Sequence, residues 1–388
     1  MKPAVANPWV RLGAVAVAFA LLPFLMPGGS LELNLTHWNR WPPHAGFIDL
    51  ATTVLVFSLF ALGFNLLFGH TGELSFGHAM FFALGAYATA LYTKGFDVTL
   101  WGLHLAHDAA NNALLALVLA VGIAVLRGFV LARIIVPRSS GIYYSMITMA
   151  FAQVIYFITF HWSDLTGGED GIQAISRPAL PGLPPDWLAD PSGTHFFIFA
   201  AVVTFACVVA YFWILHSPFG SVLHAIRENK QRSRFIGYDV DKFRINAFVL
   251  STIFPAIGGW LWVYFQQSIN PDAGSIDYSG RVVMMSLLGG IGSFVGPMIG
   301  SFAYWDLQNS VSQVTKYWPA AIGGVFVLCV LIAPRGIVGA WDDLTHYGAA
   351  GAVRRWISPR ARLQTDLADE VPEVGTGVSG ADRIGDFK

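Results

Sequence analysis

The residues best placed to do chemistry in this chain are polar side chains that interrupt a long apolar stretch. Phe47 to Phe68 is long enough to cross a membrane, and a polar break from His70 to His78 follows it directly. An ionisable side chain within a span costs about 2.5 to 3.5 kcal/mol on insertion scales, so such groups usually have a function. Glu73 and His78 are therefore candidates for a substrate pathway through the membrane.

Two interpretations of this break stay open. Either Glu73 and His78 lie at the cytoplasmic surface of the membrane, where a charge costs little, or the break dips into the bilayer. In the second case Ser75 caps the following helix, whose free N–H groups can bind a carboxylate. Asp306, in a polar run of a later helix, is a further candidate for the pathway, unless it only lies at the lipid headgroups.

A charged segment from His216 to Arg244 separates two long apolar runs. Its basic side chains are Arg227, Lys230, Arg232, Arg234, Lys242 and Arg244. Basic residues clustered near the ends of hydrophobic segments mark cytoplasmic loops, so this segment is predicted to face the cytoplasm.

The same segment contains signals for two short helices at the membrane surface. Ser217 followed by Pro218 is typical of a helix start, and Gly237 stands where a helix end needs a left-handed residue. One face of the first helix is apolar and consists of Val222, Leu223 and Ile226. The sequence predicts a helix, a turn and a second helix.

Several motifs occur in an order that resembles one family of membrane proteins. They are Gly69 to Tyr87, Thr166 to Ile172, Ala225 to Glu228 with Gly237, Asn270 to Asp272, Leu287 to Ser293 with Gly296 and Pro297, and Ala333 to Gly339. Together they resemble branched-chain amino-acid ABC transporter permeases of the LivM type. The likeness covers Gly46 to Trp341, and several motifs in one order are harder to meet by chance than any single motif.

The resemblance implies the permease subunit of an ATP-driven importer of branched-chain amino acids or similar small amino or carboxylic acids. It implies a coupling loop that contacts an ATP-binding subunit through Ala225, Ile226, Arg227, Glu228 and Gly237. The alternative is an ordinary basic connection. The implied partners are a second permease subunit, two ATP-binding subunits that hold ATP and Mg²⁺, a periplasmic solute-binding protein and the lipid bilayer. No cofactor is expected on this chain itself.

The external loop from residue 161 to residue 194 contains a second candidate for a binding surface. The resemblance implies that the solute-binding protein docks at Thr166, Gly167, Gly168, Glu169 and Asp170, where acidic side chains can meet basic residues of that partner. The alternative is a purely structural turn that starts a helix. The spacing lacks the alternating oxygen ligands of a calcium loop.

Composition sets the fold class. The chain is 55% hydrophobic and only 12% charged, whereas about a quarter of the residues of a soluble domain are charged. We predict an all-α polytopic membrane protein with about ten transmembrane segments, two of them interrupted by glycines at residues 69–78 and 289–293. Residues 1–344 form the predicted transmembrane domain, and residues 345–388 a disordered cytoplasmic tail. The first apolar run, Leu12 to Met26, is either a retained span or a signal sequence.

Other functional classes find little support in the sequence. None of the lysines follows a glycine, which excludes a Gly-x-x-x-x-Gly-Lys phosphate loop. No nucleophile, base or metal constellation suggests an enzyme, and neither a metal site nor a nucleic-acid partner is expected. The alternative is a secondary transporter driven by an ion gradient and acting alone. We expect a bacterial inner-membrane protein with both termini in the cytoplasm. The exact substrate stays open, as does whether the second permease subunit is another chain or a second copy.

Overall fold

The computed structural model describes residue 13 and residues 45–100, 103–178, 184, 187–189, 193–333 and 335–345. Helices dominate this part of the chain. They are α1 (Ala45–Thr71), α2 (His78–Lys94), α3 (Ala113–Ile135), α4 (Ile142–His161), α5 (Ser163–Thr166), α6 (Thr194–His216), α7 (Pro218–Glu228), α8 (Lys230–Phe235), α9 (Val240–Gln266), α10 (Ile276–Gly289), α11 (Gly296–Val314), α12 (Trp318–Ile332) and α13 (Gly336–Thr345).

Five of the described helices are long and apolar enough to cross a membrane, namely α1, α3, α4, α6 and α9. Counting α12 and α13, which are bent by 41° at a short break, as one span gives six. The prediction of about ten spans is therefore not confirmed. Helix α10, for example, has 14 residues, which at about 1.5 Å per residue is shorter than a hydrocarbon core of about 30 Å. The predicted segment from Leu12 to Met26 lies outside the described residues.

Helices α1 and α9 form the centre of the bundle. Most of each is buried, whereas α3, α4 and α6 expose most of their apolar surface, as helices facing lipid or another subunit do. Helix α9 packs against α1, α2 and α3, and α11 packs against α1 and α10. Aromatic rings fill the core, where the ring of Phe57 lies 5.3 Å from that of Trp262 and 4.8 Å from that of Trp305.

The two predicted glycine breaks are present, with different boundaries. Helix α1 ends at Thr71 and α2 begins at His78, with Gly77 at its N-cap and no side-chain cap. Ser75 is therefore not the cap of α2, and instead its Oγ accepts a hydrogen bond from the N–H of Gly77 at 3.3 Å. The second break separates α10, which ends at Gly289, from α11, which begins at Gly296.

The described part of the chain is mainly helical, as predicted, and contains in addition one pair of short strands. Strands β1 (Phe96–Leu100) and β2 (Leu103–His107) pair antiparallel, with Phe96 opposite His107. FDVTL alternates apolar and polar residues throughout and LHLAH does so as far as Leu105, which is the period of a strand and not of a helix.

Candidate coupling site

The charged segment folds into the predicted pair of short helices. Ser217 caps α7 by accepting a hydrogen bond from the N–H of Gly220 at 3.4 Å, and Pro218 occupies the first turn. A single residue in an extended conformation, Asn229, separates α7 from α8. Its side-chain oxygen caps α8 by accepting from the N–H of Arg232 at 2.9 Å. We call α7 and α8 together the coupling pair.

The end of α8 confirms the conformation predicted for Gly237. Gly237 has a φ of 102°. Its N–H donates to the carbonyl of Arg234 at 3.0 Å, and the N–H of Tyr238 donates to the carbonyl of Ser233 at 3.2 Å. This pair of bonds is the Schellman motif, which requires a left-handed residue at the position of Gly237. The chain therefore turns sharply from α8 toward α9.

The coupling pair has an inner face that packs on the bundle. Val222, Leu223 and Ile226 are all buried. Val222 and Ile226 contact Val240 at the start of α9, whereas Leu223 joins a cluster with the end of α3. The apolar period of α7 thus attaches the helix to the end of α3 and the start of α9.

The outer face of the coupling pair is exposed and partly apolar. Phe235 and Ile236, at the end of α8, are 90% and 71% exposed. Ala225 and Glu228 are also exposed, on the side of α7 that faces away from the bundle. An exposed Phe-Ile pair on a surface helix is typical of a protein interaction site.

Arg227 joins the coupling pair to both glycine breaks. Its Nη1 donates a hydrogen bond to the carbonyl of Gly69 near the end of α1. A Cβ atom on Gly292 would lie 2.6 Å from the same Nη1 and 3.0 Å from the carbonyl oxygen of Gly69. Gly292 also has a φ of 78°, so no other residue fits the space or the backbone conformation there. Three distant parts of the chain therefore meet at one guanidinium group.

A chain of polar side chains, buried except for the exposed His224, runs alongside this contact. Nε2 of His224, on α7, lies 3.3 Å from Nδ1 of His70, and Nε2 of His70 lies 3.1 Å from the hydroxyl of Tyr211 on α6. The Asn65 amide donates to the Tyr211 oxygen at 2.9 Å and to the carbonyl of Ser293 at 3.1 Å. We call His224, His70, Tyr211 and Asn65 the polar relay.

One set of proton positions satisfies the whole polar relay. The N–H of Gly292 donates to Oδ1 of Asn65 at 3.0 Å, which fixes the orientation of the amide. Asn65 then donates to the Tyr211 oxygen, the Tyr211 hydroxyl donates to Nε2 of His70, and Nδ1–H of His70 donates to His224. The relay therefore connects α7 to the second glycine break through α6 and α1.

Glu73 lies at the centre of a buried ion cluster on the other side of the coupling pair. Its carboxylate forms an ion pair with Arg244 of α9, and Nζ of Lys230 on α8 lies 3.1 Å from the same oxygen. Arg244 also donates to the carbonyls of Val136 and Ser139 at 3.0 Å each and to Asp241 at 3.2 Å. Because burying a lone charge is costly, Glu73 and Arg244 depend on each other.

Comparison with known proteins assigns the family of this chain. A family model described as the permease component of branched-chain amino acid transport systems matches residues 46–334. The chain belongs to this family. It is thus a multi-pass membrane permease of the ABC transporter class, as the motifs predicted, and not an enzyme.

Named relatives agree with this assignment. The high-affinity branched-chain amino acid transport system permease protein LivM of Escherichia coli K12 is 26% identical over 318 residues, which are 77% of this chain and 72% of LivM. A probable LivM of Methanocaldococcus jannaschii is 29% identical over 285 residues, 66% of this permease and 80% of the relative. LivH of Escherichia coli K12 is 26% identical over 300 residues, 73% of this permease and 91% of LivH. No solved structure matches the chain.

The residues predicted for the coupling loop of the permease do not all face the same way. Ala225, Glu228 and Gly237 are exposed, and a partner can reach them. Ile226 is fully buried against the bundle, so it anchors α7 and does not belong to the outer face. Arg227 is exposed as a residue although its guanidinium group binds the carbonyl of Gly69, so a partner can reach it while it holds the bundle.

The candidate pathway residues of the permease do not form one site. Glu73 belongs to the ion cluster, whereas His78 is fully buried, with Nε2 3.0 Å from Oγ of Ser251 and aromatic rings around it. Ser75 is buried in the turn between them. Asp306 is half-buried on α11 and, among the residues the structure describes, forms no hydrogen bond or ion pair.

The segment predicted to dock the solute-binding protein is a compact turn. Thr166 is buried and donates to the carbonyls of Thr159 and Trp162 at 2.6 and 2.7 Å. Gly167 has a φ of 79°, and Gly168 to Asp170 form one turn of 3₁₀ helix. The side chains of Glu169 and Asp170 are exposed. Thr166 therefore holds the turn, and the two acids are the part a partner can reach.

The polar relay was not predicted from the sequence. Asn65 and Tyr211 are single polar groups in otherwise apolar runs, and His70 and His224 are 154 residues apart. A polar side chain in mid-span is a usable signal because hydrocarbon offers it no partner. This signal predicts that the polar side chain has a hydrogen-bond partner, but it does not identify the partner residue.

Proposed function

We propose that this permease imports a branched-chain amino acid or a similar small amino or carboxylic acid across the inner membrane, driven by ATP hydrolysis on separate subunits. In this proposal the coupling pair receives the movement of an ATP-binding subunit and passes it to the bundle. The observation that carries the proposal is the double attachment of the coupling pair to the base of α1. Arg227 binds Gly69 directly, and Lys230 binds Glu73 a few residues further along.

This attachment gives a physical route for coupling. Force on the outer face of the coupling pair reaches the end of α1 through Arg227 and the first glycine break through Lys230. It reaches α6 and the second glycine break through His224. Short helices held by hydrogen bonds and ion pairs move as units, since packed elements shift between discrete arrangements. Movement of the pair then shifts both glycine breaks together, as alternate opening to the two sides requires.

The outer face supports an ATP-binding subunit as the partner. Phe235 and Ile236 present apolar surface beside Ala225 and Glu228, a combination suited to a groove with an apolar floor and a polar rim. ATP and Mg²⁺ are expected on that partner. A second permease subunit and a periplasmic solute-binding protein complete the proposed assembly.

The substrate class rests on the relatives, whose names specify branched-chain amino acids. Solute-binding proteins set much of the specificity in such systems, so a similar small zwitterion or carboxylate fits equally well. The ion pairs of Glu73 favour an ATP-driven importer over an ion-driven transporter. A carboxylate held by Arg244 and Lys230 is poorly suited to carry a proton or sodium ion through a transport cycle.

Copurification tests the proposed contact. The Phe235→Ser variant removes the largest exposed apolar side chain of the coupling pair, and the ATP-binding subunit should no longer copurify in stoichiometric amount. Tyr317→Ser is the matched control because Tyr317 is 70% exposed in the connection between α11 and α12, away from the pair. Equal recovery of the ATP-binding subunit with both variants would contradict the proposed contact.

A further inference from the structure

A cavity of about 240 Å³ lies beside the coupling pair, separate from the outer face. Its walls are the turn that follows α3, helix α8 and the first turn of α9. The charged residues of the lining are Arg138, Lys230, Arg234, Asp241 and Arg244. No part of the proposed import mechanism uses this cavity.

The lining carries an excess of positive charge. Its four basic side chains face two acids, Asp241 in the wall and Glu73 behind Arg244. Glu73 and Asp241 hold Arg244, and Asp241 also pairs with Arg234 at 2.9 Å. Arg138 donates to the carbonyl of Ile134 at 3.1 Å and, within the described part of the chain, has no acidic partner. Two positive charges are therefore left without a counter-charge.

The missing counter-charge has the chemistry of a phosphate group. Arg138 and Arg234 are both exposed and keep unused N–H donors, which suit the paired acceptor oxygens of a phosphate. At about 30 Å³ per water molecule in the liquid, the cavity exceeds the volume that a phosphate needs. Arg244 cannot move toward the ligand because backbone carbonyls and carboxylates occupy its donors. It contributes fixed positive charge at the back of the cavity.

The position of the cavity identifies the source of the phosphate. One of its walls, residues 136–140, is the turn that joins α3 to α4, and both of these helices expose their apolar side chains as spans do. Ile142 and Tyr143, directly after the cavity wall, are 78% and 76% exposed, and Ile134 is 46% exposed. Acyl chains can lie along these side chains while the headgroup enters the basic cavity. Basic pockets between transmembrane helices on the cytoplasmic side are typical sites for anionic headgroups.

We propose that this cavity binds the phosphate headgroup of an anionic phospholipid, with Arg138 and Arg234 as its direct ligands. The bound lipid neutralises the charge excess at the junction of α3, α8 and α9. It thereby stabilises the base on which the coupling pair rests.

Native mass spectrometry of the gently extracted complex tests this proposal, with phosphatidylglycerol titrated into the delipidated protein. The Arg138→Gln/Arg234→Gln double variant should bind the lipid roughly thirty-fold more weakly, since each basic residue contributes about five-fold near an anionic surface. The matched control is Arg133→Gln/Arg232→Gln. It removes the same charges from exposed positions of α3 and α8 that do not line the cavity.

Three results decide between the proposal and its rivals. The proposal is supported if Arg138→Gln/Arg234→Gln loses phosphatidylglycerol binding and Arg133→Gln/Arg232→Gln retains it. Equal affinity of the two double variants overturns it, because the lipid would then bind by general charge alone. Inorganic phosphate that competes as tightly as phosphatidylglycerol would also overturn it, since the site would then bind a free anion and not a lipid.

Discussion

Arg227 of α7 donates a hydrogen bond to the backbone carbonyl of Gly69, near the end of the most buried helix of the bundle. The two residues are 158 positions apart in the sequence. The bond connects the surface that a partner can reach to the core that must move during transport. This bond is the basis of the proposed coupling mechanism.

The ion cluster predicts a strong mutual dependence of Glu73 and Arg244. Glu73→Gln leaves Arg244 buried with its main charge partner removed, and we expect a loss of about 3 kcal/mol in the free energy of unfolding. The double variant Glu73→Gln/Arg244→Met should lose less than the sum of the single variants. Thermal unfolding of the purified protein measures both. Lys242→Gln, at an exposed pair with Asp239, is the control and should leave the midpoint unchanged. Additive losses would show that the two charges act independently.

The polar relay predicts a large effect for the loss of one oxygen atom. Tyr211→Phe removes the hydroxyl that bridges Asn65 and His70, which leaves one amide N–H of Asn65 and Nε2 of His70 unpaired, at a cost of about 1 to 3 kcal/mol. We expect less substrate imported per ATP hydrolysed in proteoliposomes. Tyr238→Phe, which removes a hydroxyl from a side chain 42% exposed, should leave this ratio unchanged. A wild-type ratio for Tyr211→Phe would remove the relay from the mechanism.

Local signals in the sequence predicted the coupling pair well. Ser217, Pro218 and Gly237 act within a few residues of their own positions, so their meaning can be read without the fold. The buried face of α7 follows from the period of its apolar residues for the same reason. The partner of Glu73 could not be predicted in this way. Arg244 is 171 residues away, and any of several basic residues in the segment fits the same pattern.

Because Gly237 has a left-handed conformation, two substitutions at this position can separate the effect of backbone shape from the effect of charge. Gly237→Asn keeps the turn, because asparagine tolerates this conformation, and should retain most uptake. Gly237→Asp has nearly the same shape but adds a negative charge to the proposed contact, and we expect it to uncouple transport while membrane insertion stays normal. Uptake assays with a surface-expression control distinguish the variants. Wild-type uptake by Gly237→Asp would contradict the coupling assignment.

The exposed acids of the compact turn predict a charge-dependent encounter with the solute-binding protein. Glu169→Lys/Asp170→Lys should slow uptake, and the loss should be larger at low salt because like charges are then less screened. Asp164→Lys, exposed on the neighbouring α5, is the matched control. Uptake measured at two salt concentrations tests this. An equal loss in the control would assign the effect to general surface charge.

The fold was harder to predict than the coupling pair, for a physical reason. Hydropathy identifies apolar segments, but it does not distinguish a full span from a shorter helix such as α10, which the bundle shields from lipid. The strand pair from Phe96 to His107 offers an alternating pattern over only five residues in one strand and three in the other. A single charged residue such as Asp306 is hard to interpret from the sequence. Its position in a polar run predicts that it is exposed but does not identify a partner residue.

The most direct test of the central claim is the amount of substrate imported per ATP hydrolysed by the reconstituted transporter carrying Arg227→Gln. The variant removes the bond to Gly69 while the inner face of α7 stays intact. Arg133→Gln, exposed on α3 outside the coupling pair, is the control, and copurification checks that both assemblies are complete. We predict that Arg227→Gln keeps its ATPase activity but imports several-fold less substrate per ATP, whereas Arg133→Gln behaves as wild type. An unchanged ratio for Arg227→Gln would contradict the claim that the coupling pair acts through the base of α1.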